Sequence, residues 1–182
     1  MKRRTLLVSA VTLSLGAAAA DTRTITYNDT HFSIDLAAGY AGPVEHVSGT
    51  SVSRGFRKPY PGTPLSTVIL VTVRELGPSF AKQAPGERAR LTRETLEAIV
   101  AGIENNRVGF RSFEPRTVTI AGYSGLKLAW SGAAQGIAFD GVVYCVLVGS
   151  RAIAVQIQDP AGRGKERIAE AVRAVERMRI AR

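Results

Sequence analysis

Two stretches, TVILVTVREL at 67–76 and VVYCVLV at 142–148, constrain this chain more than any other feature. Side chains of a strand alternate between the two faces of its sheet, so a run that is apolar at both parities has no face to give to water. Both runs are rich in β-branched residues and too short for a buried helix. They read as central strands of a sheet covered on each side.

The rest of the chain supplies the partners and the cover. HFSIDL sets Phe32, Ile34 and Leu36 against Ser33 and Asp35, a half-buried strand. RTVTIAG and LKLAWSG flank Tyr123-Ser124, with Gly122 and Gly125 alongside, and predict a hairpin with Tyr123-Ser124 at its tip. AIAVQIQ at 152–158 puts Ile153, Val155 and Ile157 on one face, after a turn at Gly149-Ser150-Arg151. One helix is expected from Glu87 to Asn105, where Leu96, Ile99, Val100 and Ile103 form a stripe opposite the wet Arg90, Arg93, Glu94 and Glu97. A second is expected from Gly164 to Arg179, with Ile168, Ala171, Val172, Val175 and Met178 inward and Arg173, Arg177 and Arg179 near its negative end. Strands joined mostly by hairpins, with one helix inserted and one appended, give an α+β fold. The expected architecture is a helix–sheet–helix sandwich around a largely antiparallel sheet of six to seven strands.

The first twenty residues stand apart. Lys2, Arg3 and Arg4 precede an apolar run from Leu6 to Gly16 and small residues at Ala18–Ala20, the order of a secretory signal peptide. The stretch is shorter than the roughly 20 residues a bilayer span needs. An uncleaved anchor is the competing reading, and Arg3-Arg4 leaves general and twin-arginine export both open. Residues 21–182 then form a single domain, periplasmic or secreted, with no transmembrane segment in the mature chain.

Composition narrows the chemistry. The formal net charge is +9 at pH 7, and three of those cations belong to the signal. The remainder favours attraction to anionic surfaces, while nucleic acid is not expected as a partner of an exported chain. Cys145 is the only cysteine, so no disulfide forms within the chain, and its apolar surroundings make it a small buried hydrophobe.

The order HFSIDLAAGY, STVILVTV, VTIAGYSGLKLAW and VVYCVLVGSRAIAVQIQDP, closed by an amphipathic helix, resembles the PsbP-like, DcrB-like domain family over most of residues 30–180. The resemblance implies a sandwich fold and accessory or binding roles. The family shares no catalytic set, so no residue roles are carried over.

Residues that could carry chemistry are few and scattered. SVSRG at 51–55 and GYSGL at 122–126 each lack one glycine of a nucleophile elbow, and only His31 and His46 are available as base. Asp29, His31 and Asp35 would share one face of an extended segment, yet without a fourth ligand they read as a solvated face, and no metal is expected. DPAGRGKER departs from a phosphate loop at Asp159 and Glu166; Asp159-Pro160 reads instead as the cap and first turn of a helix. Trp130 and Tyr144 occupy core-facing strand positions. No cofactor and no enzymatic activity are expected.

What remains is SRGFRKPYPGTPLS at 53–66, read as a loop between two strands. Arg54, Phe56, Arg57, Lys58 and Tyr60 combine cations with aromatic faces, and Pro61 and Pro64 stiffen the segment. The chain is expected to be a non-catalytic envelope accessory protein that docks a protein partner. The alternative is a binder of anionic envelope material, phospholipid or charged glycan, through residues 54–60. A hydrolase ranks last.

Overall fold

The computed structural model describes residues 22–163 and 165–180, and the expected signal peptide at 1–20 lies outside them. In chain order the elements are β1 (Thr22–Tyr27), β2 (Phe32–Ala37), β3 (Ala41–Ser48), β4 (Ser51–Pro59) and β5 (Ser66–Glu75). A 3-10 turn (Pro78–Lys82) leads into α1 (Pro85–Glu104). There follow β6 (Val108–Ser112), β7 (Arg116–Ile120), β8 (Tyr123–Ala134), β9 (Ile137–Val148), β10 (Arg151–Pro160), α2 (Glu166–Glu176) and β11 (Arg179–Ile180).

The main sheet is eight-stranded, in the order β3-β4-β5-β10-β9-β8-β6, with β7 also paired to β8. All its pairings are antiparallel. A second, three-stranded sheet runs β1-β2-β11. The α+β sandwich around an antiparallel sheet is therefore as expected, and the count of six to seven strands is low. The strands added are β3, β6 and β11, whose sequences AGPVEHVS, VGFRS and RI carry no apolar alternation or are too short to show one, β1, where only Ile25 and Tyr27 alternate, and β4, which lies in the segment read as a loop.

Strand parity sorts the interior into two layers. On one face Phe56, Ile69, Val71, Val73, Tyr144 and Val155 pack against the small sheet and α2. On the other, Leu128, Trp130, Val143 and Cys145 meet Leu96 and Ile103 of α1. β9 is buried at every position from Gly141 to Val148, because its two parities serve two cores. Each large apolar side chain so enclosed contributes about 1.5–3 kcal/mol. Arg88 fastens the start of α1 by donating to the carbonyls of Phe80, Leu147 and Gly149.

Four local expectations are corrected. The hairpin tip is Ala121-Gly122, since Ile120 pairs with Tyr123; both tip residues have positive φ, which a two-residue turn of this twist requires. The second helix stops at Glu176, and Met178 reaches the core from the link to β11, to which Arg179 belongs. Asp159-Pro160 ends β10 and starts no helix; Asp159 is buried and accepts hydrogen bonds from the hydroxyls of Thr67 (2.6 Å) and Tyr60 (3.0 Å). Residues 53–59 are strand, paired with β5 from Ser51↔Arg74 to Pro59↔Ser66, so the true loop is only 60–65.

Candidate functional site

Because 53–59 is a strand, alternation divides the expected binding group instead of gathering it. Arg54 and Phe56 point inward and are 3% and 0% exposed. Arg54 donates to Glu45 (2.8 Å), to the hydroxyl of Thr30 (2.7 Å) and to Asp29, which satisfies the buried guanidinium and ties β4 to the turn after β1. Lys58 lies on the same face and is paired with Glu170 of α2 at 2.7 Å. Tyr60, in the loop, is covered by the guanidinium of Arg167 at 3.8 Å from its ring centre. The same Arg167 donates to the carbonyls of Pro59 and Lys58. Burial and the hydrogen bond to Asp159 both raise the Tyr60 hydroxyl above its ordinary pKa. Arg57 alone projects from the opposite face, exposed.

The other candidate chemistries are likewise dispersed. His31 sits at positive φ in the turn before β2, which breaks the alternation that was to align it with Asp29 and Asp35. Asp29 is taken by Arg54, and Asp35 by Thr24 and Arg179. Among the described residues no group of three His, Cys or acidic side chains converges. Ser53 is the register partner of His46, yet its hydroxyl is engaged with that of Thr72 at 2.9 Å. Burial pushes the Cys145 thiol up to about 12.

A different surface emerges from the sheet. α1 covers β8 and β9 and reaches only the near side of β10. Beyond it the α1-side face of β10, β5, β4 and β3 is left open. A groove of about 430 Å³ runs between that face and the flank of α1, lined by Leu70, Thr72, Ala154 and Gln156 below and by Ala98 and Ile99 at the side. The cross-strand rows explain the opening. Val143, Cys145 and Leu147 of β9, under α1, continue into Gln156, Ala154 and Ala152 of β10, then Leu70, Thr72 and Arg74 of β5, then Gly55, Ser53 and Ser51 of β4. The apolar floor gives way to small and hydroxyl side chains that gain little from cover.

This corrects the reading of 67–76 as covered on each side: Ile69, Val71 and Val73 are fully enclosed, whereas Val68, Leu70 and Thr72 are half-buried. The sequence did carry the signal, in alternate positions of β10 that read Ala, Ala, Gln. At the far rim β3 is exposed along its whole length, with Val44 at 71% and Val47 at 61%.

No protein-family model and no curated protein matches the sequence. Solved structures do share its fold. Cyanobacterial PsbP (CyanoP) from Synechocystis superposes with a TM-score of 0.63 at 8% identity, over 94% of this chain and 99% of that one. PA94 of Pseudomonas aeruginosa, a protein of unknown function, gives 0.53 at 9% identity, over 88% and 97%. LpqN of Mycobacterium tuberculosis, a protein involved in cell envelope biogenesis, gives 0.51 at 14% identity, over 91% and 93%. The chain has the PsbP-like fold.

Proposed function

We propose, from the PsbP-like fold and the half-covered face of its sheet, that this chain is an exported, non-catalytic accessory protein of the cell envelope that docks a protein partner. One observation carries the reading: half of one sheet face, the four strands β10, β5, β4 and β3, lies open beside α1, floored by side chains whose polar groups are partly satisfied among themselves, as in Ser53–Thr72. Such a face can lose its water at small cost. The envelope role of LpqN and the signal-like residues 1–20 support the location. Among the described residues no helix is long and apolar enough to cross a membrane.

The test places a photo-cross-linking side chain at Thr72 on the open face, or at Arg173 on the outer side of α2, in the exported protein. A discrete protein adduct from Thr72 and none from Arg173 is expected. Adducts from neither, in cells where the protein is functional, sink the reading.

A second reading is favoured by the cations around Tyr60. Arg163 and Arg167 both face its ring and offer a basic, aromatic margin to phospholipid or charged glycan, to which the exposed Arg57 adds a cation from the other face of β4. Binding to vesicles rich in phosphatidylglycerol that falls steeply with salt and on Arg57→Glu supports it; binding indifferent to both defeats it.

A further inference from the structure

The docking reading leaves open what kind of element fills the groove, and the geometry points to one. Resting on that reading, we propose that the occupant is an amphipathic α-helix of a partner protein, laid alongside α1 with an acidic flank. The opening has the dimensions of a missing helix. Strands are spaced about 4.8 Å apart, and packed helices lie about 8–10 Å apart. A helix beside α1 therefore has its axis two strands further on, above β5. There it would meet Leu70 and Thr72 directly, with Ala154 on one side and Gly55 on the other, since Leu70 pairs with Gly55 and Thr72 with Ala154.

The wall facing it consists of Ala98 and Ile99 of α1. Small residues on wall and floor permit close approach of a helix backbone, and Ile99 and Leu70 supply apolar contact. Ser53 and Thr72 bond to each other at 2.9 Å, so covering them strands neither hydroxyl.

Charge decides the flank. Arg57 and Arg74 stand on this face at opposite ends of the groove, Arg57 opposite Val68 and Arg74 six residues further along the same strand. Among the described residues neither side chain has a hydrogen bond or an ion pair, whereas the carboxylate at the wall, Glu94, is held by Arg90. His46 lies between them on the same face, across from Ser53. The separation of the two arginines is roughly 20 Å along the strand, which a helix of about 13 residues spans. Carboxylates three to four turns apart would meet both cations, and the net charge of +6 on residues 21–182 steers such a partner inward.

The experiment uses the full chain with a photo-cross-linking residue at Ala98 in the groove, at Val47 on the free strand edge, or at Arg173, and sequences the captured segment. Capture from Ala98 of a segment with an apolar stripe and an acidic flank is expected. A peptide of that sequence should bind the protein, gain helical circular dichroism on binding, and lose about tenfold or more in affinity to Arg57→Glu/Arg74→Glu. Ala98→Trp, at an exposed helix position, should block it without unfolding the protein. Capture from Val47 alone, or a peptide that binds without becoming helical, overturns the helix and leaves docking intact. Binding of anionic vesicles with no protein adduct at any position overturns both.

Discussion

The guanidinium of Arg54 lies 4.1 Å from the ring centre of Tyr27, joining the main sheet to the small one. With its bonds to Asp29, Thr30 and Glu45, this cation is a structural rivet.

Arg54→Met keeps most of the stem and removes all three bonds. The carboxylates return to water, but the buried Thr30 hydroxyl loses its donor and Tyr27 its cation. A loss of about 2–3 kcal/mol is expected, read as a lower urea midpoint at unchanged slope. Arg54→Lys should recover only part, because the three acceptors are met by three separate guanidinium nitrogens and a single ammonium nitrogen cannot reach all of them.

Acid should loosen the small sheet first. The hydrogen bond from Arg54 holds Asp29 below the usual carboxylate range, and those from Thr24 and Arg179 do the same for Asp35. The unfolded chain takes up protons at these positions near pH 4, before the folded one does. Their contribution is thus complete above that range and disappears as pH falls through the lowered values. Urea midpoints measured between about pH 5 and pH 2 should fall steeply, and less steeply for Asp29→Asn/Asp35→Asn.

Cys145 should be silent in the folded protein. Its thiol is buried and pushed up to about 12, so a disulfide reagent at mild alkaline pH should react only after denaturant is added. The unfolded thiol ionises near pH 8.5 while the folded one keeps its proton, so this group contributes declining stability as pH rises. Tyr144, raised by burial and by Glu176, acts in the same direction above about pH 10. Alkaline urea midpoints test both.

Gly141 is held to glycine by one neighbour. A Cβ there would fall 2.2 Å from Cε2 of Trp130, its register partner. Gly141→Ala should cost about 2–3 kcal/mol through overpacking. Gly141→Ala/Trp130→Leu should be markedly less destabilised than the sum of the two single variants, and equilibrium unfolding of all four proteins closes the cycle.

The sequence was most legible where burial is strong on both sides. Val142 to Val148 could only be a central strand, and Leu96 and Ile103 found their core as the helical spacing implies. Legibility failed where pairing, not pattern, makes the strand. Residues 53–59 look like a loop because Gly55, Pro59 and the cations mask alternation, yet pairing with β5 imposes it and sends Arg54 and Arg57 to opposite faces. Asp159 looked like a helix cap because its donors are long-range, Thr67 and Tyr60, invisible to local spacing. The open face was written in Ala152, Ala154 and Gln156, but its meaning required knowing that α1 stops at β10.

The small sheet has a consequence for how the molecule comes into being. Phe32 is the register partner of Tyr27 on one side and of Ile180 on the other, so a residue near the start of the described chain waits for one at its end. Pairs so remote in sequence are slow to find each other, and a ribosome-bound chain that has not yet released residue 180 cannot close this seam. The small sheet is therefore completed only after every other described element has been made.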